Sequence, residues 1–218
     1  MEKIIHCCWF GRGEKSALIK KCMNTWKEKL PEYLIIEWNE DNFDIESNLY
    51  VKEAYASRKW AFVSDYVRLW ALYNHGGIYL DTDVEVFKPF DDFLEHRFFT
   101  GFEKHCGEIS PITAVMGSEK NSVWLKEMLD EYEHISFIQK DGTHNLYTNT
   151  KRITKYMIDE LGVDKEDDRI QNPLDGFYIY PSHYFCNKKS DSYSMHHFDG
   201  SWLPLHSRLK KKFLGIIK

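Results

Sequence analysis

No apolar run in this chain approaches the roughly 18–20 residues that span a bilayer, which excludes a membrane-crossing helix as its organising element. The start, Met1-Glu-Lys-Ile-Ile-His6, lacks the long apolar stretch of a secretory leader, so a protein acting in the cytoplasm is expected. No zinc spacing such as C-x-x-C occurs. The five cysteines are an odd number, and Cys7 and Cys8 are adjacent within an apolar run. A disulfide framework spaces its cysteines apart, so reduced thiols are the expectation. A basic excess is also missing. The net charge of −5 supplies no overall field that would draw the protein to nucleic acid. With no internal repeat and no low-complexity linker, the 218 residues read as one domain.

What is present is an ordinary globular composition, 43% hydrophobic and 29% charged, with a high aromatic share of 16%. Large rings fill a core, and some of the 7 Trp and 13 Tyr are available to line a site for nucleobases or sugar faces. Residues 3–10 form a short apolar run ending at Gly11-Arg12-Gly13, a buried strand followed by a turn. Residues 15–29 carry Leu18, Ile19, Cys22 and Trp26 at helical spacing and stop before Pro31. Residues 33–38 are a second strand centred on Ile35 and Ile36. Strand, helix and strand at this spacing predict a βαβ unit, an α/β fold and a mostly parallel sheet flanked by helices.

A longer helix is predicted over residues 58–74, with Trp60, Val63, Val67 and Trp70 or Ala71 as its buried stripe. His75-Gly76-Gly77 ends it, and residues 78–80 are a short strand. Alternation of Val84 and Val86 predicts that the chain stays extended beyond that strand. Strands are also expected over 98–102, 112–116 and 177–180, and helices over 123–132 and 153–161.

The strongest local feature is Gly76-Gly-Ile-Tyr-Leu-Asp-Thr-Asp-Val84. Asp81 and Asp83 cannot both be buried cheaply without a counter-charge. On an extended backbone, side chains two apart share a face, so both can meet one ligand. Paired carboxylates suit a hard divalent cation such as magnesium or manganese bridging to phosphates. A D-x-D pair on a surface turn has the same appearance, so the pair gains meaning from its neighbours. Asp65 and Arg68 share a helix face offset from the apolar stripe; they form either a structural ion pair or a grip on sugar hydroxyls and phosphate. Near the end, Met195-His-His-Phe-Asp-Gly-Ser-Trp202 offers an imidazole to complete a coordination shell. Adjacent His196 and His197 on an extended segment point opposite ways, so one of them serves.

These residues together resemble the retaining, DXD-containing sugar transferases grouped as glycosyltransferase family 32, which are distantly similar to the glucosyltransferase domains of large bacterial toxins. The resemblance rests on Lys3-Ile-Ile-His-Cys-Cys-Trp-Phe-Gly11, on Ala61-Phe-Val-Ser-Asp-Tyr-Val-Arg68, and on Leu72-Tyr-Asn-His-Gly-Gly-Ile-Tyr-Leu-Asp-Thr-Asp83. Gly101-Phe-Glu103, Ile179-Tyr-Pro181 with Phe185, and His196–Trp202 follow in family order. It implies a GT-A-type fold with a Rossmann-like central sheet. Residues 1–90 would then be the nucleotide-sugar-binding half, 91–205 the sugar and acceptor half, and 206–218 a basic amphipathic tail.

The resemblance further implies a role for each matched residue. Trp9 would flank the nucleobase and Tyr79 the nucleotide. Asp65 and Arg68 would contact the donor sugar, with Arg68 reaching the diphosphate. Asp81 would bind the ribose and a metal-bound water, Asp83 would ligate the metal directly, and His196 would be the C-terminal metal or diphosphate contact. Ser201 and Trp202 would close over the phosphates. The implied cofactors are Mn2+ or Mg2+ and a nucleotide sugar, with a UDP-sugar expected. The implied acceptor is a glycan or lipid-linked saccharide in surface polysaccharide (capsule or lipopolysaccharide) synthesis. The tail, with Leu209, Phe213, Leu214, Ile216 and Ile217 among lysines, is either a packed terminal helix or a peripheral contact with the inner membrane face.

No residue reads as a covalent nucleophile, and Glu103 and Asp65 are the carboxylates to test. Two positions depart from the pattern: Thr113 stands where Asn is frequent, and Asn149-Thr150 where a Gly-Pro pair is expected. Two other functions compete. In an aspartate-nucleophile phosphatase Asp81 would be phosphorylated, and a sugar- or nucleotide-binding module would lack turnover.

Overall fold

The computed structural model describes residues 1–105, 108–111 and 114–200. Thr113, Ser201, Trp202 and the basic tail lie outside the described residues. In chain order the elements are β1 (Ile4–Cys8), α1 (Ala17–Lys29), β2 (Leu34–Trp38), α2 (Leu49–Ala56), α3 (Trp60–His75), β3 (Gly77–Leu80) and β4 (Val84–Val86). They are followed by β5 (Phe98–His105), β6 (Glu108–Pro111), β7 (Val115–Ser118), α4 (Val123–Glu133), α5 (Asn149–Asp159), β8 (Gln171–Leu174), β9 (Phe177–Tyr180), α6 (Ser182–Phe185) and β10 (Ser194–His196).

The main sheet runs β2-β1-β3-β7-β5-β9-β8, with β6 paired to β5. Strands β2, β1, β3, β5 and β9 share one direction and β7 and β8 run against it, so the sheet is mixed but mostly parallel. This is the α/β architecture that the βαβ spacing predicted. Side chains alternate across β3: Tyr79 joins the core beneath α2, α3, α4 and α5, while Ile78 and Leu80 join the core beneath α1 and α6. The described cysteines Cys7, Cys8, Cys22 and Cys186 are buried and free. No helix among the described residues is long and apolar enough to cross a membrane.

A close backbone approach fixes the start of β3 against β1, and side-chain bonds tie α1 to β4. Gly77 adopts φ +99°, and a Cβ placed on it would lie 2.7 Å from the Ile4 carbonyl oxygen of the adjoining strand. Gly77→Ala therefore combines left-handed backbone strain with a backbone clash. It should cost at least about 2 kcal/mol, read as a lowered urea midpoint at unchanged slope. On the other face, Trp26 Nε1 donates to the Val84 carbonyl at 2.7 Å and Val86 N donates to Thr25 Oγ1 at 2.9 Å, tying α1 to β4.

Three expectations need correction. The chain does not remain extended through residues 81–83: Val84 N donates back to the Asp81 carbonyl at 3.0 Å, closing a turn between β3 and β4. Helix α3 is buried on more than one stripe, with Phe62, Tyr66, Leu69 and Leu72 enclosed and Trp60 and Trp70 only half-buried, because α2, α4 and α5 pack around it. Helix α5 begins at Asn149, four residues before the expected start at Ile153, because the Thr148 hydroxyl caps it by accepting from Lys151 N.

Candidate active site

Parallel strands β1 and β3 end on the same edge of the sheet, where an α/β fold places its ligand crevice. A cavity of about 470 Å³ opens there, a size suited to a nucleotide-sized molecule. The residues following β1, including Trp9 and Gly11, form one side, and residues 60–68 of α3 form another. Trp60, Ser64 and Arg68 repeat every four residues along α3, and Ala61 and Asp65 run beside them, so one helix face looks into the cavity.

Arg68 is the centre of the charge arrangement. Its guanidinium lies 4.5 Å from the Tyr79 ring centroid, 3.3 Å from Asp81 Oδ1 and 3.5 Å from Asp65 Oδ1. Burial alone would disfavour its charge, but Asp81, Tyr79 and Asp65 hold it firmly protonated. Tyr79 donates its hydroxyl to Asp81 Oδ1 at 2.9 Å. Asp65 is pushed upward by burial, an effect opposed by Arg68 and by the Asn149 N–H, which donates to Asp65 Oδ2 at 2.9 Å.

The turn separates the two aspartates. Asp81 faces Arg68 and Tyr79. Asp83 faces the C-terminal strand: β10 pairs antiparallel with β4, with His196 opposite Val84, and this register sets the imidazole against the turn. His196 Nε2 is 3.4 Å from Asp83 Oδ1, and its Nδ1 is 3.4 Å from Glu103 Oε2. Asp199 N donates to Asp83 Oδ2 at 2.8 Å. Burial by itself would lower the basicity of His196, but Asp83 and Glu103 raise it to about 10. Burial works against the Asp83 carboxylate too, but His196 and the Asp199 N–H, each contacting Asp83, together outweigh it and hold Asp83 below its usual range. As expected for neighbours on a strand, His197 points away and pairs with Glu85 at 2.8 Å.

One ligand atom each from Asp81, Asp83 and His196 lies within 4.8 Å of the others. Two carboxylates and an imidazole form a donor set that fits Mn2+ or Mg2+. Trp9, Asp65, Arg68, Tyr79, Asp81, Asp83, Glu103 and His196 all line the same cavity. Thr148 and Thr150 also line it; sequence reasoning marks Thr150 only as a departure from the family pattern and misses Thr148. A threonine ahead of a helical stretch was the available signal.

Residues 16–100 match the family described as "Glycosyltransferase sugar-binding region containing DXD motif". Glucan organizing enzyme 1 of Cryptococcus neoformans var. grubii is 35% identical over 83 residues, covering 35% of this chain and 23% of that protein. An uncharacterized glycosyltransferase of Acanthamoeba polyphaga mimivirus is 28% identical over 161 residues, 71% of this chain and 62% of that protein. The chain spans less than two thirds of the length of these curated relatives. Among solved structures, the PaToxG glycosyltransferase superposes with a TM-score of 0.55 at 19% identity, over 76% of this chain and 71% of that one. The shared fold is of the GT-A type.

Proposed function

From a chain that carries the DXD-containing sugar-binding region of glycosyltransferases on a GT-A-type fold, we propose a metal-dependent retaining transferase. It moves a hexose or N-acetylhexosamine from a uridine nucleotide sugar to a glycan or lipid-linked saccharide in surface polysaccharide synthesis. The observation that carries this reading is the convergence of Arg68, Asp81, Asp83 and His196 on one cavity.

Asp83 and His196 would hold the cation, with Asp81 beside them, and a cation there would supply positive charge to offset the negative charge developing on the nucleoside diphosphate leaving group. Trp9 flanks the base. Arg68, pre-oriented over Tyr79 and already desolvated, donates toward the donor sugar and the bridging phosphate oxygen without having to reorganise. Asp65 accepts from sugar hydroxyls.

Both carboxylates that could attack the anomeric carbon are engaged: Asp65 by Arg68 and the Asn149 N–H, and Glu103 by His196. Retention then proceeds by front-face displacement. The bond from the anomeric carbon to the diphosphate oxygen breaks as the acceptor hydroxyl oxygen bonds to the same face. The hydroxyl proton passes to the departing phosphate. Ser201 and Trp202 keep the role of closing over the phosphates, and the basic tail that of either a packed terminal helix or a peripheral membrane contact.

A thermal-shift panel of nucleotide sugars with and without Mn2+ tests the donor site. A donor at about a hundred times its Kd should stabilise the fold by about 2.7 kcal/mol. That corresponds to roughly 5–10 °C at this chain length, and only when metal is present. Equal stabilisation by every nucleotide without metal would contradict the proposal.

A further inference from the structure

A second, smaller cavity of about 230 Å³ lies in the groove between α1 and β2, the edge strand of the main sheet. Lys15, Lys20 and Lys27 line it together with Asn24, and Glu37 is its single acid. Lys20, Asn24 and Lys27 stand four and three residues apart, so they project from one face of α1. The apolar wall is Met23 and Ile35, both half-buried. Leu34, on the same edge strand, is 60% exposed.

The positive charge here is only partly answered. Lys15 pairs with Glu37 at 2.9 Å, and Lys21, on the flank of α1, pairs with Glu85 at 3.0 Å. Lys20, Lys27 and Lys29 are exposed and have no ion pair among the described residues. Helix α1 carries four lysines against one acid, Glu28, in a chain whose net charge is −5. A local excess of positive charge on an acidic protein orients it toward a negative surface.

We propose that this face of α1 docks on an anionic phospholipid surface, with Lys20 and Lys27 meeting headgroup phosphates and Met23 and Ile35 covered by the attached carbons. Lysine stems lie along apolar surface while their ammonium groups reach phosphate, which suits such a boundary. Each lysine brought to an anionic leaflet adds to the attraction, and the two unpaired ones give up no internal partner. A free phosphate would satisfy the lysines but leave the apolar wall in water.

Docking has a consequence for the acceptor, which rests on the transferase reading above. Ser16 and Ile19 line the catalytic cavity and Lys20 lines the second, so α1 joins the two. A membrane held against α1 therefore lies beside the catalytic cavity, and a lipid-linked acceptor in that leaflet is held near it.

Sedimentation of the full chain with vesicles tests the docking. Phosphatidylcholine mixed with phosphatidylglycerol should bind it, phosphatidylcholine alone should not, and salt at about 1 M should release it. Lys20→Glu/Lys27→Glu should lower the partition coefficient about tenfold or more. Lys140→Glu/Lys165→Glu makes the same change of net charge outside α1 and should lower it by no more than about threefold. All four lysines are exposed, so both variants should keep the parent Tm. Equal losses in the two variants would overturn the docking. So would no loss in the first, which leaves vesicle binding to residues 206–218. Stabilisation by inorganic phosphate without vesicle binding, lost in Lys20→Glu/Lys27→Glu, would make the groove a soluble-anion site and overturn it too. Donor hydrolysis in solution reports separately: its absence overturns the transferase reading and the consequence for the acceptor, and leaves the docking in place.

Discussion

Replacing Asp83 by alanine is expected to lower sugar transfer on the order of 10³-fold and to abolish metal-dependent stabilisation by the nucleotide. Asp83 lies 3.4 Å from His196 Nε2, and its second oxygen is fixed by the Asp199 N–H at 2.8 Å. Its removal takes away one of the two groups assigned to hold the cation directly. A loss of 10³-fold corresponds to about 4 kcal/mol of transition-state stabilisation, within the range a Lewis acid supplies to a phosphate leaving group. The fold should survive, because the alanine removes a desolvated anion and leaves His196 in contact with Glu103. Asp81→Ala should be milder toward the metal, since Asp81 is engaged by Arg68 and Tyr79. Measurement of kcat/KM and of the Mn2+-dependent thermal shift in both variants checks this. Activity of Asp83→Ala within about threefold of the parent would contradict the assignment, since the expected loss is far larger.

Arg68→Met should be the most destabilising single substitution in the site. The side chain is almost wholly enclosed and stands between Asp65 and Asp81, so removing it leaves two carboxylates facing each other without a counter-charge. Breaking a buried pair of this kind costs about 3–5 kcal/mol, or roughly 6–20 °C in Tm for a chain of this size. The pH dependence has a definite sign. Burial already raises the Asp65 pKa above its ordinary value, and Arg68 opposes that rise. Without Arg68 the folded-state pKa climbs further above the unfolded value. The folded variant then binds a proton that the unfolded chain releases. Its deficit relative to the parent is smallest in acid and grows as pH rises through that folded pKa. Unfolding at pH 5 and pH 8 distinguishes this from simple loss of packing, which predicts the same deficit at both. Arg68→Lys should restore part of the stability but little activity, because a point charge cannot reach both carboxylates with a planar fork.

The parts of this site that could be read in the sequence are those encoded by local pattern. The run through β1, the spacing of Ile19, Cys22 and Trp26 in α1, and the glycines ending α3 each follow from short-range sterics and burial. Asp65 and Arg68 share a helix face, which geometry alone predicts. The turn at Asp81-Thr82-Asp83 was not legible, because it contains no glycine or proline and the valines after it mimic a continuing strand. Its effect is chemical: the carboxylates are divided, one to Arg68 and one to His196. Strand β10 has three residues, and its pairing with β4 joins segments far apart in the chain. The hold of Asn149 on Asp65 likewise spans 84 residues, and no local pattern announces such a contact.

The central claim is that Asp83 and His196, with Asp81 beside them, hold the cation that meets the diphosphate. Crystals grown with UDP and Mn2+, measured at a wavelength where manganese scatters anomalously, test it directly. The prediction is one anomalous peak bonded to Asp83 and His196 and in contact with the diphosphate, with the uracil beside Trp9. UDP bound in this cavity with no peak there, or with the peak on other side chains, would contradict it.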